Sequence, residues 1–151
     1  KYILLIISFL ISALTFGQKK YEPAWYQMER DGEYLKMASH LLYQVQSDST
    51  RNEHADYLHI ARSYGYLNDY EKAIFYLNKS MDGRSEKDDK LFWWYYKGTL
   101  AFFKRDKEEL EEYLEKLEAN YTPYYEKNFR TLKSLYENFE KGYKEASSWK
   151  S

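Results

Sequence analysis

Cysteine is absent from the 151 residues, which excludes disulfides, thiolate nucleophiles, zinc–thiolate sites and iron–sulfur clusters. Proline occurs twice and glycine six times, too little turn material for a fold of many short strands. No basic excess exists either, since 23 Lys and Arg stand against 24 Asp and Glu for a net charge of −1. A nucleic-acid binder needs surplus cations to displace condensed counterions, so nucleic acid is not an expected partner. Aromatic residues are abundant instead: 18 Tyr, 8 Phe and 4 Trp make up 20% of the chain. Disordered chains are poor in such residues, so this one folds. Its length suits one domain.

The one long apolar run lies at the N-terminus, where residues 2–16 carry no charge. A helix needs about 20 residues to cross a bilayer core, so a run this short reads as the hydrophobic region of a signal peptide. Thr15 and Gly17 put small residues where cleavage after Gly17 requires them, and Gln18 then begins a polar stretch. The expectation is a signal peptide over 1–17 and one helical domain over 18–151. The protein is expected to be exported, periplasmic or secreted, with no membrane span in its mature form.

The remaining sequence reads as helices. A capping residue followed three positions later by Glu lets each satisfy the other's orphan amide, and Thr50 with Glu53, Asn68 with Glu71 and Asp106 with Glu109 fit that pattern. Thr122-Pro123 places a cap and a first-turn proline before a last helix. Stripes at steps of three and four follow the signals, among them Tyr57, Ile60, Ala61, Tyr64 and Leu67. Tyr70, Ala73, Ile74 and Leu77, then Leu110, Tyr113, Leu114 and Leu117, repeat the spacing. An earlier helix is expected over about 33–46. No segment alternates with period two for long, so the fold class is all-α. Turns at 67–69 and 104–106 are short enough to make their flanking helices antiparallel, while polar connections at 47–50 and 82–87 separate one hairpin from the next.

Tyr57-x2-Ile60-Ala61-x2-Tyr64 followed by Ala73-x3-Leu77 resembles the tetratricopeptide repeat (TPR). Trp94-x2-Lys97-Gly98-x2-Ala101 followed by Leu110-x3-Leu114 has the same internal spacing, and Phe129-x2-Leu132-Lys133-x2-Tyr136 resembles a third first helix. Ala61, Gly98 and Lys133 lie 37 and 35 residues apart, against about 34 in the family. Lys97 and Lys133 depart from the family's Leu and Gly, and Leu110 replaces its small Ala. The likeness covers roughly residues 53–140 and implies a short right-handed superhelix of antiparallel hairpins with a C-terminal capping helix. It also implies close contact of Ala61 with Ala73 and of Gly98 with Leu110. A helical bundle without repeats would carry similar stripes.

Residues 91–96, followed by Phe102-Phe103, place large rings around the whole circumference of one helix. Such a helix is buried, or it presents a face to something else. In the family the first helix of each hairpin lines the concave surface. That likeness assigns Leu58, Arg62, Tyr66, Phe92, Tyr95, Thr99 and Phe103 as candidate partner-binding residues. Tyr and Arg often dominate interface energetics, so the expected partner is a protein or peptide. The second reading is a glycan-binding protein of the cell envelope, whose Trp and Tyr faces would stack on sugars. In the last helix Tyr125, Phe129, Leu132, Tyr136, Phe139 and Tyr143 form a heptad-like seam. It suits capping of the preceding hairpin and leaves a surface for self-association. Gly142 is a candidate end of that helix, after which Tyr143-Lys144-Glu145-Ala146 resembles Tyr70-Glu71-Lys72-Ala73.

Catalytic motifs are missing. His54 and His59 are five residues apart, off the four-residue spacing that would share a helix face. No His-Glu-x-x-His, Gly-x-Ser-x-Gly or glycine-rich phosphate loop occurs. The acidic run around Glu108, Glu109, Glu111 and Glu112 opposes Leu110, Leu114 and Leu117, as a solvated helix face does. The expectation is a non-catalytic protein with no cofactor and no metal.

Overall fold

The computed structural model describes residues 22–149. The signal-peptide expectation therefore lies outside the described residues. Within them the protein forms eight α-helices and no strand, in agreement with the all-α reading. They are α1 (Ala24–Arg30), α2 (Tyr34–Ser47), α3 (Glu53–Tyr66), α4 (Tyr70–Lys79), α5 (Lys90–Lys104), α6 (Lys107–Glu118), α7 (Glu126–Glu137) and α8 (Tyr143–Ala146). A 3-10 turn over Pro123–Tyr125 leads into α7, with Thr122 before it and Pro123 in its first turn.

Four helices start on side-chain caps. Asn52 accepts from the Ala55 amide, Asp69 from Lys72, Asp89 from Phe92 and Asp106 from Glu109. Each satisfies one of the amides that a helix start leaves unpaired. The Asp106 cap is where the sequence places it, but two others shift. Thr50 donates its hydroxyl to Asp48 at 2.6 Å instead of capping, so the cap moves to Asn52. Asn68 adopts a left-handed backbone, φ 58°, and serves as the turn while Asp69 caps. Arg105 takes the equivalent left-handed position, φ 60°, between α5 and α6.

Both turns are tight, and α3 packs along α4 as α5 does along α6, so each pair is an antiparallel hairpin. The α2 helix packs on α3 from the other side. The α7 helix lies against both α5 and α6, and α8 returns to touch α3. The main core runs from Ala61 through Leu77, Phe102, Leu110 and Leu132 to Ala146. A smaller cluster of Trp25, Met37, Ala38, Leu41 and Ile60 joins α1, α2 and α3. Among the described residues, no helix is long and apolar enough to cross a membrane.

The ring-rich α5 is a buried helix, with Trp94, Tyr95, Tyr96 and every residue from Gly98 to Phe103 in the interior. Gly98 has a different partner from the one expected. A Cβ on it would come within 2.8 Å of a Leu132 methyl, so it admits α7 rather than Leu110. Ala61 and Ala73 are fully buried in the same core. The expected continuous seam is broken as well: α7 stops at Glu137, Phe139 sits in the turn beyond it, and Tyr143 begins α8. Leu132, Leu135, Phe139 and Tyr143 are all buried within the chain. They are closed to a second copy in this conformation, while Tyr124 is 83% exposed.

Candidate functional site

Leu58, Arg62 and Tyr66 follow one another at four-residue steps along a single face of α3, as a helix of 3.6 residues per turn dictates. All three are half-buried. Arg62 donates to Glu29 of α1 at 2.7 Å and to the Tyr66 hydroxyl at 2.7 Å, and that hydroxyl donates to the same Glu29 oxygen at 3.0 Å. Burial opposes the Arg62 charge, but the oxygens of Tyr66, Tyr143, Glu29 and Tyr95 around it outweigh burial and raise its pKa. Burial pushes the Tyr66 phenol up to about 12, so it is a neutral donor at ordinary pH.

From α5 come Phe92, Tyr95, Thr99 and Phe103, and the structure separates them. Phe92 is half-buried, and its ring lies 5.9 Å from that of Tyr95. Tyr95 is buried except for the part that reaches a cleft. Thr99 and Phe103 are interior residues, contrary to their expected place on an open face. Thr99 turns its hydroxyl back to the Tyr95 carbonyl at 2.9 Å, and Phe103 is covered by Tyr143 at 4.7 Å. For Phe103 the physical reason is that Tyr143 of α8 folds over it.

Two clefts remain. One of about 300 Å³ joins Arg62, Tyr66 and Tyr95 to Thr131 of α7, to Tyr143 and to Trp149. The other, of about 350 Å³, joins Leu58 and Phe92 to His54, Arg84, Asp89 and Tyr124. Five of the seven candidate residues thus reach open space, at two separate places. In the first cleft Trp149 donates its indole N–H to the Thr131 hydroxyl at 3.2 Å, and Arg130 lies over its ring. Burial drives the Tyr143 phenol well above its ordinary pKa, so it too is a neutral hydroxyl.

Sequence reading missed Glu29, Gly65, Thr131, Tyr143 and Trp149 as parts of this face. Gly65 was visible as a lone glycine inside a helical stripe. A Cβ there would meet Tyr143 at 2.7 Å and Phe103 at 2.9 Å, so only glycine admits both rings. The other four reach the face through contacts distant in sequence, which no local pattern records.

The first cleft offers rings, hydroxyls, Lys127, Asn128 and the Arg62 guanidinium paired with Glu29, and the second adds His54, Arg84 and Asp89. Among the described residues, no group of three or more His, Asp or Glu side chains is placed to hold a metal ion. His54 turns its Nδ1 to the Ser80 carbonyl at 3.0 Å, and the His59 ring packs on Trp25 at 4.0 Å, tilted by 36°. No protein-family model, no curated protein and no solved structure matches the chain.

Proposed function

We propose that this protein is an exported, non-catalytic interaction module of TPR-like hairpins in a short right-handed superhelix, and that it binds a protein or peptide along α3 and α5. The hairpins α3–α4 and α5–α6, with α7 packed on both helices of the second, support the TPR-like reading. The observation that carries the functional reading is the pair of open clefts on this face, which combine ring surface with hydrogen-bonding groups. Tyr and Arg can anchor an interface because they join large contact area to donors and acceptors.

The test uses the cleft at Leu58 and Phe92, where both side chains are only partly buried. Bait protein is incubated with envelope extract from the producing cells, and captured proteins are identified. Leu58→Ala with Phe92→Ala should lower partner affinity by about 2 kcal/mol, a hot-spot effect, while keeping the fold. Capture that is unchanged in a folded double variant rules this face out. One feature favours glycan binding as a second reading: the first cleft sets the Trp149 ring beside Asn128, Thr131 and Arg62, which can hydrogen-bond sugar hydroxyls. Retardation of the protein by envelope polysaccharide in affinity electrophoresis, abolished by Trp149→Ala, would decide for that reading.

A further inference from the structure

The end of the described chain returns to the face that α3 and α5 share. After α7 the chain turns through 138–142 and forms α8, where Tyr143 is 1% exposed. The Tyr143 ring lies 4.7 Å from Phe103, 5.8 Å from Phe102 and 5.5 Å from Tyr66. Its backbone N–H donates to Asn68 Oδ1 at 3.3 Å and to the Tyr70 hydroxyl at 3.1 Å. Gly65 supplies the room for this ring. At the far end Ser134 donates to the Ala146 carbonyl at 2.7 Å.

The same aromatic pair is used twice. Tyr70 opens α4 with Ala73 three residues later, and Tyr143 opens α8 with Ala146 three residues later. Tyr70 packs on Phe102 at 6.1 Å and on Phe103 at 5.5 Å, while Tyr143 packs on the same two rings. Both alanines are fully buried. A helical turn of the form Tyr-x-x-Ala is therefore what Phe102 and Phe103 accept. The two users differ in how they are held. The α4 helix has ten residues inside a hairpin, whereas α8 has four, too few to persist in water without its seat. The seat is also incompletely filled: the arm and the body enclose the cleft of about 300 Å³. There the Tyr95 and Tyr143 hydroxyls make no hydrogen bond to another described residue, although both line it.

We propose that this face is a receptor for a partner segment that opens a helical turn with tyrosine and carries a small residue three positions later, and that residues 142–149 are its resident competitor. This rests on the reading of the α3–α5 face as a peptide site. A tethered arm acts at an effective concentration of about 1 mM, so a free segment must outcompete it. The arm thereby sets a threshold for partner binding.

The experiment uses the full chain and, as probe, a fluorescent peptide with the sequence of residues 140–149. Hydrogen exchange on the unaltered protein should show the amides of Tyr143, Ala146 and Ser147 opening locally, insensitive to low urea, while those of Phe102 and Phe103 follow global unfolding. The peptide should bind Tyr143→Ala at least about tenfold more tightly than the unaltered protein, because the tethered competitor is gone. The same peptide with Ala at the Tyr143 position should not bind. Where Tyr143→Ala fails to fold, Asn68→Gly with Tyr70→Phe takes its place, since glycine keeps the left-handed turn and the pair removes both acceptors of the Tyr143 N–H. Exchange of the arm only with global unfolding, or a peptide that binds no folded variant, overturns the inference. If partner capture at Leu58 and Phe92 persists in that case, the peptide-site reading stands without the arm.

Discussion

At Gly65 a hydrogen stands where any other residue would place a carbon among Tyr143 and Phe103. Alanine there would gain about 1 kcal/mol of helix propensity. It would also overpack two buried rings, at a cost of about 1–3 kcal/mol. Overpacking wins because a Cβ 2.7 Å from Tyr143 and 2.9 Å from Phe103 is closer than carbon atoms can approach, so a buried ring must shift. Gly65→Ala is expected to destabilise the protein by up to about 2 kcal/mol in urea melts, and a more stable variant would mean that the arm does not sit on α3. His59 is a second residue whose role is decided by its surroundings. Burial, helped by the nearby Arg62 charge, lowers its pKa to about 4, and its Nδ1 is buried without a partner among the described residues. An unfolded chain takes up this proton near pH 6.5, but the folded chain does so only near pH 4. The stabilising neutral form is thus fully effective above about pH 6.5, and its contribution is lost as pH falls toward 4, by up to about 3 kcal/mol. Urea melts at about pH 7.5 and about pH 4.5 should show that loss, and His59→Phe should reduce it while keeping the ring contact with Trp25.

The elements themselves were largely legible. The spans of α2 through α6 follow the apolar stripes, because a helix face is a property of residues three and four apart. The caps of α3, α4 and α6 were legible to within a residue or two, whereas Thr122 makes no side-chain cap. Asp106 is the clearest, with its carboxylate on the Glu109 amide at 2.9 Å. Asp106→Ala should cost about 1 kcal/mol, within the range for lost caps, measured by thermal or urea unfolding. No loss would place the start of α6 elsewhere. The break between α7 and α8 was harder to read. Phe139 and Tyr143 continue the four-three spacing of the stripe, yet Phe139 lies in a turn under the Arg105 guanidinium at 4.3 Å and Tyr143 begins a new helix. The spacing survives because both residues meet the same core, reached along a bent path.

For the whole molecule, α3 is the hinge of the packing, with Ile60 in the smaller N-terminal cluster and Ala61 in the main core. The buried core supports a fold without disulfides, as the lack of cysteine requires. Export is a claim about the chain rather than about this packing. Mass analysis of protein recovered from its producing cells should find a mature N-terminus at Gln18, following the apolar run over 2–16 and the small residues Thr15 and Gly17. Retention of residues 1–17 would refute the signal-peptide reading.

Composition and spacing alone determined that the protein is helical, cysteine-free and built with at least two tight hairpins. These properties depend on residues within a few positions of one another, so the chain carries them locally. The fate of the aromatic face was decided only in three dimensions. Leu58, Arg62, Tyr66, Phe92 and Tyr95 reach the two clefts, whereas Thr99 and Phe103 are buried. Phe103 is closed by α8, which arrives about forty residues later and lays Tyr143 across it, while Thr99 turns its hydroxyl back into its own helix. A ring's exposure depends on what packs against it, and here the packing element comes from the far end of the chain, through the one glycine on α3 that admits it.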